Sequence, residues 1–344
     1  MRAALTPSRV LALLVAVNIA LLASGWALVP PTASEAGSGI RIGLVFDIGG
    51  KNDKSFNNAA WRGMLRAKAE LGVAIEMIEP SEGNDRESAL RALAAKGLDL
   101  VIGVGFVFGP ELERLAVQFP AVHFAGIDYS PGPHSPQLPN LAGLRFRDNE
   151  GSFLVGAIAG MLTRSHIVGF IGGMRIPLIA KFEVGYRAGV VRVCPQCTVL
   201  VAYAGTDPKA FVDAPLGREL AAAQYEHGAD IIFSAAGKTG DGVFAAARQR
   251  RMRAIGVDSD QWEMAPCCII TSMIKRVDVA VVDVVKDVIA HRFTGGVREL
   301  GLAEHGVGFV TDDHNRDLLP IEVVQRAKML GDQIIAGTIQ VPWQ

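Results

Sequence analysis

The sequence predicts an α/β protein built as two doubly wound parallel-sheet lobes joined by a hinge. From residue 40 onward, short apolar runs rich in Val and Ile alternate with helical segments of about 12 residues, the pattern of parallel sheet covered on both faces. The alternation starts afresh at His166, which gives a second set of βα units. Composition agrees: 38 glycines with only 7% aromatics suit a chain with many tight strand–helix turns, and 344 residues suffice for two domains.

The first lobe opens on the strand "RIGLVFD" (41–47), whose apolar run is bounded by charge. A Gly/Asn/Asp-rich turn leads to the helix "SFNNAAWRGMLRAKAELG". "AIEMIEP" is the next strand and "DRESALRALAAKG" the next helix, ended by Gly at its C-terminus. "LDLVIGVG" feeds "GPELERLAVQFP", a helix between Pro near its start and Pro at its end. The strand "AVHFAGID" runs into a Pro-rich loop, "SPGPHSPQLPN", and "LAGLRF" precedes the small-residue helix "EGSFLVGAIAGMLT". In the second lobe the strands are "HIVGFIGG", "TVLVAYAG", "ADIIFSAA" and "RAIGVDSD". Between them lie the helices "AKFEVGYRAGVVRV", "PLGRELAAAQYEHG" and "GDGVFAAARQRR". "VDVAVVDVVKDVIAHR" is a further helix, amphipathic by period. The loop near 131–148 and the segment near 258–275 are the expected crossings. The expected boundaries are 40–147 with 276–310 for the first lobe and 148–275 with 311–344 for the second.

Residues 1–39 stand apart as a signal peptide or N-terminal anchor plus linker. Arg2 and Arg9 precede an apolar run over residues 10–29, and "VPPTASEAGSG" follows as a small-residue segment with a cleavage position near Ala36. The run is also just long enough to span a bilayer uncleaved. "LLASGW" resembles a lipoprotein signal with Trp26 where the acylated Cys would stand. No Cys precedes Cys194, so no lipid anchor is expected at that place. Either way the expectation is a periplasmic or extracytoplasmic protein, soluble after cleavage or held by its N-terminal helix.

Charge excludes a polyanion partner. Lys and Arg number 34 against 35 Asp and Glu, with no basic block, so nucleic-acid binding is not expected. Cys194 and Cys197, in "CPQC", lie between a helix and a strand; in an exported protein they suit a small disulfide loop better than a redox motif, which should open a helix. Cys267 and Cys268 are adjacent. A zinc site is not expected, because no second CxxC or paired His accompanies them.

In such folds ligands bind outside the carboxyl ends of the strands. Asp47, Asn52, Asp53, Phe106, Asp128, Gly172, Gly173, Gly237, Lys238 and Asp258 stand at those ends. "SAAGKTGDG" fails as a phosphate loop, since Ile232 occupies the position of its first Gly. What survives is a Gly turn opening a helix, whose amides can meet a ligand oxygen. The aspartates are scattered by tens of residues, which does not suit a metal. Each is either a helix cap or turn Asp, or an acceptor-only partner for vicinal hydroxyls such as a sugar carries. Lys275 is placed to hold such an Asp charged or to donate to the ligand. With seven His and no nucleophile–base pairing, neither catalysis nor a cofactor is expected. Phe56 and Phe182 each sit near a helix start, one per lobe. They are either core residues or two faces that clamp a flat ring.

"DIGGKNDKSFNNAAWRG", "IGVGF", "FAGID", "RFRDNEGSFLVGAIAGM", "VGFIGGMRIPLIAKFEVGYRAGV", "GADIIFSAAGKTGDGVFAAA", "AIGVDSDQ" and "TSMIKRVDVAV" together resemble the basic membrane protein family of purine nucleoside receptor A-like substrate-binding proteins, from about residue 40 to the C-terminus. The resemblance implies a type I periplasmic-binding-protein fold and a monomeric receptor that delivers its ligand to an ABC permease in the inner membrane. A purine nucleoside is the implied ligand, with riboflavin or another flat heterocycle as the alternative; a membrane-held sensor is the other. It implies base-reading roles for Asn52 and Asp53, stacking roles for Phe56 and Phe182, a cleft carboxylate at Asp128, a ribose-binding pair in Asp258 and Lys275, and a backbone contact at Gly237. Lys238 stands where the resemblance implies Gly, and either points to solvent or reaches an anionic group.

Overall fold

The computed structural model describes residues 38–80 and 85–344. The expected signal or anchor falls outside these residues. Among the described residues no helix is long and apolar enough to cross a membrane.

In the first lobe β1 (Arg41–Val45), α1 (Phe56–Leu71), β2 (Ala74–Ile78), α2 (Arg86–Ala95), β3 (Leu100–Val104), α3 (Gly109–Gln118), β4 (His123–Ile127) and β5 (Leu141–Phe146) follow one another. The chain crosses over, and α4 (Asp148–Leu162), β6 (Ile167–Met174), α5 (Pro177–Val193), β7 (Thr198–Gly205), α6 (Ala214–Glu226), β8 (Ile231–Ala235), α7 (Gly240–Arg250), β9 (Arg253–Asp258) and β10 (Ile269–Lys275) build the second. It returns as α8 (Val277–Ile289) and β11 (Gly296–Leu300), then ends with β12 (Val307–Phe309) and α9 (Ile321–Ile335).

The first sheet runs β11-β5-β4-β3-β1-β2, parallel throughout. The second runs β12-β10-β9-β8-β6-β7, parallel except that β12 is antiparallel to β10. Central strands β3 and β8 are buried along their whole length, whereas edge strand β2 is partly exposed. That is why the central runs are continuously apolar while "AIEMI" is not. α8 packs on α1, and α9 on α4. Small residues on both helices let α4 and α5 approach closely: a Cβ on Gly156 of α4 would lie 2.1 Å from the Tyr186 carbonyl oxygen, and one on Gly189 of α5 would lie 2.0 Å from that of Phe153.

Three crossings join the lobes, between β5 and α4, between β10 and α8, and between β11 and β12. The first two lie at the ends of the predicted segments. The segment 258–275 is not itself a linker, because its second half is β10. Residues 307–309, grouped with the first lobe by sequence, pair as β12 with the second sheet. A three-residue strand offers too little period to be read from sequence. Disulfides join Cys194 to Cys197 and Cys267 to Cys268.

Candidate functional site

Both sheets carry the strand order 2-1-3-4-5 in their own numbering, which places a crevice outside the carboxyl ends of the first and third strands. The two crevices face each other and enclose one cavity. Its walls come from the ends of β1 (Asp47, Ile48, Gly49), β3 (Gly105, Phe106), β4 (Asp128), β8 (Ala235, Gly237, Lys238), β9 (Val257, Asp258) and β10 (Lys275). Helix starts add Asp53, Phe56 and Asn57 from one lobe and Leu178, Ile179 and Phe182 from the other. The cavity measures about 80 Å³ for water centres, where a single water needs about 10–15 Å³. It therefore holds several waters or one small organic molecule.

The stretch "DIGGKNDKSFN" is wired by two side chains. Asp53 Oδ1 accepts from the amides of Ser55 and Asn58 (both 2.9 Å), and Oδ2 from the amide (2.9 Å) and Nδ2 (3.0 Å) of Asn57. This fills the roughly four acceptor positions of a carboxylate. Asp53 thus serves as the capping group of α1, and the base-reading role implied by resemblance has no spare lone pair to use. Asn57 in turn receives the Asp47 amide at 3.1 Å and donates to the Ile48 carbonyl at 3.3 Å. Asn52 is exposed and does not line the cavity; Asn57, five positions on in the same stretch, does. Gly105 is held at φ 118°, and a Cβ there would meet Asp47 Oδ2 at 2.8 Å. A bare backbone is what lets that carboxylate lie beside β3.

Asp128 and Asp258 end equivalent strands, after "FAGI" and "AIGV", and both adopt left-handed φ, 60° and 65°. Non-glycine residues in that region are uncommon, with Asp among the more tolerant, and such strain collects at ligand sites. Asp258 Oδ2 accepts from Ser55 Oγ at 2.6 Å, a bond between the lobes. Burial pushes its carboxyl up to about 6, against the opposing pull of Lys275 and the Ser55 bond. Asp47 is likewise raised by burial to about 6.

Lys275 is the centre of the cluster. Its Nζ lies 2.7 Å from Asp128 Oδ2 and 3.2 Å from Asp148 Oδ1, with all three side chains at most 5% exposed. The rings of Phe56, Phe146 and Phe182 surround it at 5.2, 5.0 and 5.5 Å from their centroids. Burial alone would discharge this lysine, but Asp128, Asp148 and Asp258 outweigh it and hold the ammonium above its usual range. One cation cannot neutralise three buried carboxyls, so burial raises Asp148 to about 7. The nearest partners of Lys275 are thus Asp128 and Asp148, not Asp258. In "RFRDNEG" no local feature of the sequence separates Asp148 from an ordinary helix-start Asp. The distances of 5.2 and 5.5 Å from one nitrogen bound the Phe56–Phe182 centroid separation at 10.7 Å. Phe182 is buried and Phe56 half-buried, and both line the cavity. Phe211 joins them, its ring lying where a Cβ on Gly173 would stand. Lys238 is exposed at the rim, and Gly237 lies beside it with φ 55°.

Residues 40–344 match the family model for ABC transporter substrate-binding proteins of the PnrA-like type, Bmp. The chain belongs to the Bmp family. A T-cell-stimulating antigen of Listeria monocytogenes is 33% identical over 327 residues, covering 88% of this chain and 87% of its own. An uncharacterized lipoprotein of Pyrococcus horikoshii is 34% identical over 326 residues, covering 87% and 79%. Among solved structures, an ABC transporter solute-binding protein of Aeropyrum pernix superposes with a TM-score of 0.79 at 30% identity, over 89% of this chain and 94% of that one. The Bmp family is an extracytoplasmic family of solute-binding proteins, not of enzymes. The fold is the periplasmic-binding-protein fold, and ABC solute-binding proteins of this kind bind small-molecule ligands and a permease partner.

Proposed function

We propose that this Bmp protein binds a purine nucleoside by lobe closure and presents it to an ABC permease of the inner membrane. The observation that carries the reading is the pairing of Phe56 from one lobe with Phe182 from the other on a single cavity that also holds free carboxylate oxygens. In this reading a flat base lies between the two rings, where offset stacking contributes on the order of 0.5–1.5 kcal/mol per pair beyond burial. Asp258 keeps one oxygen free of Ser55 for ribose hydroxyls, and Asp47 Oδ2 is a second acceptor. Lys275, clamped by Asp128 and Asp148, sets the electrostatics beneath the rings. In place of Asn52, Asn57 offers a ligand the remaining lone pair of its Oδ1, since its Nδ2 hydrogens go to Asp53 and Ile48. Gly237 and Lys238 form the rim on the second lobe. The receptor works as a monomer, exported by residues 1–39 and either released or held by that segment.

Mass spectrometry of small molecules released from freshly purified, denatured protein tests the assignment. A purine nucleoside is expected. A flavin or a free sugar in stoichiometric amount overturns it.

A further inference from the structure

A second groove lies against the ligand cavity and shares Phe106, Asp128 and Leu178 with it. Its outer end is built from Arg145, Phe146, Ile176, Pro177, Lys181 and Trp343. Three features there favour negative charge. Lys181 is half-buried and makes no ion pair among the described residues; burial and the nearby Arg145 guanidinium both depress its pKa. Arg145 reaches Glu299 at 3.2 Å with one arm. The start of α5, where Ile176, Pro177 and Leu178 line the groove, has neither a side-chain cap nor an acidic residue in its first turn, so the first free helix amides, from Leu178 onward, have no side-chain acceptor. Trp343 closes the groove from the C-terminal segment, which is pinned where Asn149 Nδ2 donates to the carbonyls of Val341 and Pro342 at 3.1 and 3.2 Å. Asp128 lies on the wall shared with the cavity, so an anion belongs at the Lys181 end.

We infer that this groove is an anion-binding subsite contiguous with the cavity, and that the ligand is a nucleoside carrying a phosphate or carboxylate substituent that reaches Lys181 and Arg145. The inference rests on the nucleoside reading and extends it.

The test is calorimetry on ligand-free protein with a parent purine nucleoside, its 2′-, 3′- and 5′-monophosphates and its 5′-carboxylate, repeated on Lys181→Met, with inorganic phosphate plus parent nucleoside as a further arm. At least one anionic derivative should bind the wild type about tenfold more tightly than the parent, as one or two charge-assisted hydrogen bonds provide. Lys181→Met should erase that advantage and leave the parent affinity unchanged. The arms separate phosphate from carboxylate and a linked from a free anion; tightening by free phosphate alone overturns the linked-substituent claim. Anionic derivatives no tighter than the parent, or an advantage that survives Lys181→Met, overturn the subsite while parent binding stands. If no compound of the series binds the wild type, the nucleoside reading falls. The charge of the co-purified ligand then decides the subsite: an anionic species sustains it and a neutral one overturns it.

Discussion

Replacing Lys275 by Met removes the ammonium but keeps an unbranched chain between the three phenylalanine rings. At an effective dielectric of about 20, a unit-charge pair at the 2.7 Å of Lys275 and Asp128 attracts by roughly 6 kcal/mol before burial costs are subtracted. The net value of the ion cluster is much smaller, because three groups at most 5% exposed had to leave water. Removing one partner is different: Asp128 and Asp148 stay buried without compensation, which costs about 3–5 kcal/mol. The loss depends on pH. Without the ammonium the Asp148 carboxyl, already raised by burial, has a folded-state pKa above its unfolded one. Such a group destabilises the folded state fully at high pH, and the penalty shrinks as pH falls through the raised value and the carboxyl takes up a proton. Asp148, already near 7 in the intact protein, leads this change. Urea unfolding of wild type and Lys275→Met at about pH 8 and about pH 5 measures it. The gap should reach about 3 kcal/mol at the higher pH and narrow by at least about 1 kcal/mol at the lower. A gap under about 1 kcal/mol at pH 8, or one that does not narrow, refutes the picture of a lysine neutralising buried acids.

Three further outcomes are expected. Nucleoside affinity should fall as pH drops through about 6, where Asp258 takes up a proton and its bonds to hydroxyls lose their charge assistance; Asp258→Asn should weaken binding about tenfold or more and make the profile shallower. Calorimetry across pH reads both effects, and an unchanged affinity in Asp258→Asn removes Asp258 from the site. Phe56→Ala and Phe182→Ala should each weaken nucleoside binding by about two- to twelvefold or more from lost stacking, with no effect on ribose; equal losses for both ligands contradict the clamp. Gly105→Ala should destabilise the protein by about 1–3 kcal/mol in urea unfolding, since φ 118° and the 2.8 Å approach to Asp47 both oppose a side chain; a neutral substitution contradicts that reading.

The two-lobe architecture was legible because its central strands are buried on both faces and so read as unbroken apolar runs. β10 to β12 and α9 were not assigned. β11 is short with exposed positions, β12 has only three residues, and β10 sits in a stretch that resembles a linker. Of the residues singled out in the sequence, Asp47, Asp53, Phe56, Asp128, Phe182, Gly237, Lys238, Asp258 and Lys275 line one cavity, whereas Asn52 does not. What sequence did not reveal is how each side chain is spent. In "DIGGKNDKSFN" the exposed Asn52 and the cavity-lining Asn57 are the same residue type, but Asn52 lies in the turn before α1 and Asn57 in its first turn. Asp53 looks like a binding carboxylate but is consumed by four donors from the start of α1. Asp148 comes to Lys275 through a crossing between lobes, a pairing across 127 positions that no local pattern encodes.

The claim on which the account depends is that the interlobe cavity takes a purine nucleoside between Phe56 and Phe182. Calorimetric titration of unfolded-and-refolded, ligand-free protein with adenosine, guanosine and inosine measures this directly. One site per chain with a Kd of about 1 μM or tighter for at least one of them is the predicted result. No binding of any of the three by protein that has regained its folded spectrum would contradict it.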